Sequence, residues 1–177
     1  MRKFLFAAFA GIASAGLVAS PAHAAEDGFY AGAGLGYFQL DLGDGWDAGD
    51  TAFKVEGGYN FGRYFAADVE WIDGGSLESE GLQWDLDGWN FSLVGRYPID
   101  QQFDVFAKLG AFMWNADGKS CNYAFCAGNQ DGTDFSWGLG AGWNATDHLT
   151  VNFEYQGFDL QDANGSELWI VTGLWRF

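Results

Sequence analysis

Basic residues are scarce in this chain, and so are proline, cysteine and histidine. Eight Lys and Arg stand against 24 Asp and Glu, a formal charge of −16 at pH 7, and discounting Arg2 and Lys3 at the start takes it to −18. That imbalance excludes a nucleic-acid or anionic-lipid binder working through a basic patch. Only two prolines interrupt the chain, whereas 27 glycines and an aromatic content of 19% favour strands and tight turns over helices. The two cysteines, Cys121 and Cys126, lie in one stretch, CNYAFC. Neither a metal-site nor a redox spacing fits them well; in an exported protein a short loop-closing disulfide is the expectation. No cofactor motif is present.

The N-terminus supports export. Arg2 and Lys3 form a positive n-region, residues 4–18 an apolar stretch, and Ala22-His23-Ala24 a small-x-small cleavage site. Residues 1–24 are therefore expected to be a cleaved signal peptide, with one domain spanning 25–177. Beyond Ala25 no run of ~20 apolar residues occurs that would cross a bilayer as a helix.

What is present is alternation. Eight segments alternate apolar and polar residues: 28–42, 51–61, 64–72, 84–97, 103–115, 134–143, 149–157 and 167–177. Each is near or above the ~9–11 residues that a tilted strand needs to cross a bilayer. The connectors 62–63, 98–102 and 144–148 are short, and 43–50, 73–83, 116–133 and 158–166 are longer. Short turns on one side and long loops on the other predict an all-β, eight-stranded, antiparallel up-and-down transmembrane barrel with both termini periplasmic. The expected address is the bacterial outer membrane.

Charge parity sharpens this reading. One face of the segments carries residues such as Phe53, Val55, Trp71, Phe91, Leu93, Leu109, Leu139 and Phe153, almost without charge. The other carries Lys54, Glu56, Asp68, Glu70, Arg96, Asp104, Lys108, Glu154 and Arg176, with Asn90, Ser92, Asn152 and Gln156. Unpaired buried charge is costly, so a network of interior ion pairs is expected among these groups.

The closing segment, ELWIVTGLWRF, places Trp169, Val171, Trp175 and Phe177 on one parity. Its aromatic end resembles the insertion signal read by the bacterial barrel-insertion machinery, which implies that role for Trp175 and Phe177. The stretches GWNFSLVGRYPIDQQFDVFAKLGAFMWNAD and WGLGAGWNATDHLTVNFEYQGF resemble the transmembrane domain of the outer membrane protein A family and its small porin-like and opacity-type relatives, with Tyr97-Pro98-Ile99 the most specific match. The resemblance covers most of 28–177. It implies a buried acid at Asp68, a buried base at Lys108 and an acid at Glu154. Val94, Gly142 and Asn152 depart from charged family positions, so interior pairing must be rebuilt around Arg96, Lys54 and Lys108. No counterpart of the larger members' periplasmic peptidoglycan-binding domain is read here, and wall anchoring is not inferred.

Other motifs have plainer readings. GAGLG and GLGAG lack the GxGxxG spacing and a following helix; their glycines, at interior parity, would make room for Phe106, Phe112 and long charged side chains. The long loops and the strand ends beside them hold fifteen acids and only Lys119 as a base. These are oxygen ligands suited to calcium or magnesium, without EF-hand spacing, and a solvated rim is favoured over a specific metal site. Trp46, Trp84 and Tyr123 fall in or beside loops, where they would order the loop or touch a partner. Lipid-modifying barrel enzymes need a histidine at the outer rim, but His23 leaves with the signal peptide and His148 falls in a periplasmic turn, so no catalytic residue is assigned. Eight strands enclose a lumen just filled by side chains. Interior Gly, Ser and Asn nevertheless leave open a narrow, weakly cation-preferring path. A soluble ligand carrier would need the charged face turned outward. The expectation is a monomer with a structural or surface-interaction role, its acidic loops meeting lipopolysaccharide through divalent cations.

Overall fold

The computed structural model describes residues 27–41, 47–79, 82–118, 128–160 and 165–177. Eight strands run through them: β1 (Gly28–Asp41), β2 (Asp47–Asn60), β3 (Phe65–Ser79), β4 (Leu82–Pro98), β5 (Phe103–Gly118), β6 (Gln130–Asn144), β7 (Leu149–Phe158) and β8 (Gly165–Arg176). Each pairs antiparallel with its chain neighbour, and β8 returns to β1 from Tyr30↔Arg176 to Asp41↔Gly165, closing the barrel. The expected architecture is therefore the one observed. The signal-peptide residues, Trp46, Lys119, Cys121, Tyr123 and Cys126 lie outside the described residues.

Strand lengths depart from the sequence reading on the extracellular side. The 73–83 connector was expected to be a loop, yet β3 and β4 stay paired up to Ser79↔Leu82, and Trp84 pairs with Leu77 and Gly118 inside the ribbon. β2 likewise begins at Asp47, β5 runs on to Gly118 and β6 begins at Gln130. Cross-strand pairing satisfies peptide groups there as it does in lipid, but the outward face now meets water and carries acids while Leu77 and Leu86 still face inward, so the alternation that marked the strands fades. The β3 extension bends at a register shift between Asp73 and Ser76. Gly75 supplies the positive φ of 76°, and two carboxylates fix the bend: Asp73 Oδ1 accepts from the Gly75 N–H at 2.9 Å, and Asp50 Oδ2 from the Ser76 N–H at 2.9 Å. As a result β4 has 17 residues and β5 16, against 10 in β7 and 12 in β8.

The outer surface is a band of exposed apolar side chains. Phe29, Phe61, Phe65, Tyr97, Trp143 and Trp175 lie toward the end carrying the short turns, where an interfacial girdle belongs. Inside, the lumen is layered. Phe38, Ile72, Leu86, Phe112, Phe158, Leu168 and Ile170 form an apolar plug in the extracellular half. A smaller one of Tyr30, Ala66, Val94, Phe106 and Leu174 fills the periplasmic half. Interior glycines make these layers possible. A Cβ on Gly140 would collide with the Phe106 ring, one on Gly88 with Phe112 and one on Gly36 with Ile170.

Gly140→Val should therefore destabilise the barrel by about 1–3 kcal/mol, the usual cost of overpacking. Gly173→Leu, at an outward position where an added Cβ meets nothing within 4 Å, should not. The urea midpoint of gel-resolved folded protein distinguishes the two; equal midpoints would refute the packing account.

Candidate functional site: the lumen and the extracellular edge

Between the two apolar layers sits a charged cluster drawn from four strands, β2, β3, β5 and β7. Lys54 on β2 is fully buried, and its Nζ lies 2.6 Å from Glu154, 3.0 Å from Glu70 and 3.3 Å from Glu56. Lys108 Nζ on β5 lies 2.6 Å from Glu70, 2.9 Å from Asp68 and 3.2 Å from both Glu56 and Glu154. Neutral donors complete the shell. Asn90 Nδ2 donates to Glu70 at 2.7 Å, Gln156 Nε2 to Glu70 and Glu154 at 2.9 Å each, and the Tyr30 hydroxyl to Asp68. Glu56, Asp68 and Glu70 are the one grouping of possible metal ligands found among the described residues. The Lys108 ammonium, however, approaches all three within 3.2 Å and takes the place that a cation would hold.

Arg96 and Asp104 do not join this cluster. They pair with each other at 2.8 Å below the Phe106 ring, over which the Arg96 guanidinium lies at 5.3 Å. Asn144 extends this lower group: its Nδ2 donates to Asp104 at 3.2 Å, and its Oδ1 accepts from Arg176 at 2.7 Å. Sequence parity brought the lysines and acids to the lumen but missed Tyr30 as the hydroxyl on Asp68. Its signal was present, since Tyr30 and Phe38 are the large side chains of interior parity among the glycines of β1.

The other expected sites are simpler. Trp175 is exposed and stacks on His148, whose Nδ1 lies 3.1 Å from the Arg176 carbonyl oxygen. Phe177 is 78% exposed, and its N–H donates to the Phe29 carbonyl at 3.0 Å, so the chain end is tied to the first strand.

At the opposite end, acids face outward in register. Trp71, Trp89 and Met113 form one row across β3, β4 and β5. Two residues further from the membrane centre, Asp73, Asp87, Asn115 and Asp131 form the next row of that parity across β3 to β6, and Asp117 pairs with Asp85 above it. Burial, and then the Asp73 and Asp117 carboxylates, push the Asp87 acid above its ordinary range.

This closed barrel, apolar outside and ion-paired within, fits one sequence family closely. The description "Outer membrane protein beta-barrel domain" matches residues 10–176. The chain belongs to that family. It is a protein of the bacterial outer membrane. Outer membrane protein A of Klebsiella pneumoniae is 25% identical over an alignment covering 74% of this chain and 43% of that protein, so the chain spans less than half of that relative's length. Among solved structures, Neisserial surface protein A superposes with a TM-score of 0.71 at 12% identity, covering 84% of this chain and 97% of the other. Ail, the attachment invasion locus protein of Yersinia pestis, solved with the heparin analogue sucrose octasulfate, gives 0.64 at 16%, covering 86% and 100%. Identities this low establish the shared barrel fold.

Two tests follow from the family barrel's charges. Lys108→Met strands buried carboxylates and should cost about 3–5 kcal/mol, much of it recovered in Lys108→Met/Glu70→Gln; urea titration in micelles reads both, and failure of the second change to recover stability would break the pairing account. Asp87 works the other way. Below its ordinary titration range both the folded and unfolded states hold the proton, and the penalty of the crowded carboxylate grows as pH rises through its raised folded value. Asp87→Asn should thus match the parent near pH 3 and exceed it in melting temperature at pH 7. A constant difference across that range would contradict the assignment.

Proposed function

We propose that this protein is a monomeric, non-enzymatic barrel with a structural and surface-interaction role in the envelope. Its acidic extracellular edge meets lipopolysaccharide phosphates through divalent cations. The observation that carries this reading is the outward row of Asp73, Asp87 and Asp131, with Asp117 above it, just beyond the last lipid-facing aromatics. Outward acids at that level face the headgroups of the outer leaflet, and like charges in register repel unless cations lie between them. Ail was solved with a sulfated sugar. The acidic edge here carries the opposite charge from the one a polyanion needs, and a bridging cation supplies the missing sign.

The remaining elements of the reading agree with this role. Residues 1–24 direct export and are removed to leave 25–177; Cys121 and Cys126 close a disulfide; Trp175 and Phe177 serve recognition by the insertion machinery. The interior network of Lys54, Glu56, Asp68, Glu70, Lys108 and Glu154, with Arg96 and Asp104 below it, acts as a structural staple. Its carboxylates are engaged by ammonium groups, which leaves them poor general bases. Two apolar plugs above and below the cluster favour a closed barrel over the narrow cation-preferring channel, and refolded protein is expected to give no discrete steps in a planar bilayer.

In membranes containing lipopolysaccharide, chelation of magnesium and calcium should lower the melting temperature by several degrees and increase hydrogen exchange at the ends of β3 to β6. Asp73→Asn/Asp87→Asn/Asp117→Asn should abolish the response. Chelation that leaves both measurements unchanged in the parent protein would sink the bridging role.

A further inference from the structure

The apolar outer surface of the described residues is dented where small residues meet across strands, and one such dent lies beside an exposed base. Toward the periplasmic end of β3 to β6, a groove of about 700 Å³ opens on the lipid-facing side. Register explains it. Phe65, Gly95, Ala107 and Leu139 lie in one cross-strand row, so the two central strands contribute almost no side chain where their neighbours contribute large ones. Tyr97 and Val105 pair below this floor, and Leu93 and Leu109, 70% and 60% exposed, pair above it. A Cβ added to Gly95 would meet nothing within 4 Å, so the glycine relieves no internal crowding, unlike those facing the lumen. The dent exists only on the outside.

An exposed base stands next to one of its lining residues. Tyr64 lines the groove, and the Arg63 guanidinium lies 5.8 Å from the Tyr64 ring centroid. Among the described residues Arg63 is the only exposed Lys or Arg, since Lys54, Arg96, Lys108 and Arg176 are buried or half-buried in the lumen. Its turn joins β2 to β3 on the periplasmic side. An exposed cation, a tyrosine at interface level and a side-chain-wide apolar trough leading away from them match a phosphate head and one fatty acyl chain.

We propose that this groove is a binding site for a single glycerophospholipid of the periplasmic leaflet. One acyl chain lies over Gly95 and Ala107 between Phe65 and Leu139, and the phosphodiester sits on Arg63. Burying an acyl chain against a fixed wall gains contacts that a flat, mobile lipid boundary lacks, and the guanidinium gives the head a defined partner. The site is independent of the acidic edge on the other leaflet.

The test is native mass spectrometry of the mature protein extracted from membranes in mild detergent, followed by titration of delipidated protein with palmitoyl-oleoyl phosphatidylglycerol. One phospholipid should survive detergent that strips the rest. Gly95→Leu, which fills the groove without an internal clash, should reduce retention at least fivefold, and Arg63→Gln should remove most of the preference for phosphatidylglycerol over uncharged diacylglycerol. Gly173→Leu, equally open and equally outward, should retain lipid like the parent and controls for folding and added apolar surface. Equal retention in all four proteins would overturn the site. So would equal loss in Gly173→Leu, a retained species with the mass of lipopolysaccharide, or a dimer whose crosslinks run through Gly95 and Ala107.

Discussion

Hydrocarbon offers no hydrogen bond to a peptide group, and most of this structure follows from that. A sheet in lipid cannot keep an edge, so β1 must find β8, and the twelve-residue register between them leaves the bilayer-spanning part of neither strand exposed. Closure with eight strands then fixes the lumen at a size that side chains fill. Every interior position becomes a packing decision. The glycines of β1 and β6 yield space to Thr172, Ile170 and Phe106, and no smaller residue is available to do so.

Within that fixed volume the charges have one workable arrangement. Four carboxylates converge on two ammonium groups, and the amides of Asn90 and Gln156 take up carboxylate oxygens that the lysines leave. Such a cluster adds little stability over a well-packed apolar core, but breaking it is severe. Its residues come from β2, β3, β5 and β7, with Tyr30 from β1 and Asn90 from β4, so a slip of any one of those strands turns at least one member of the cluster toward lipid. Register and charge placement enforce one another.

The fold was legible because a membrane strand has two unlike faces. Wherever Phe53, Val55 and Trp71 alternate with Lys54, Glu56 and Glu70, the sequence carries strand, orientation and environment at once. Legibility ended where that contrast ends. Above Asp73 the outward face carries acids instead of lipid-facing side chains and Gly74-Gly75 break the period of two, so a stretch that reads as loop pairs as strand to Ser79. The apolar lumen layers were hidden for the reverse reason: Phe38 and Leu168 are apolar like their outward neighbours, and their positions follow from counting parity through glycines rather than from polarity. Which acid meets which lysine needed distances across the barrel, since Glu154 and Lys54 are a hundred residues apart. The groove at Gly95 required register, because a glycine in a strand looks the same whether it faces a ring or nothing.

The unequal strands give the molecule a shape beyond a cylinder. β4 exceeds β7 by seven residues, roughly 23 Å of strand, or ~16 Å of height at a 45° tilt. The excess lies on the outer side, so the wall of β3 to β6 stands as a parapet while the wall of β7 and β8 ends near the lipid. A protein free to rotate in the membrane plane thus has a front and a back. Neighbours on the side of β3 to β6 meet a tall, negatively charged screen of paired strand, whereas the strands β7 and β8 end lower. Crowded together, such molecules would keep these like-charged screens turned apart.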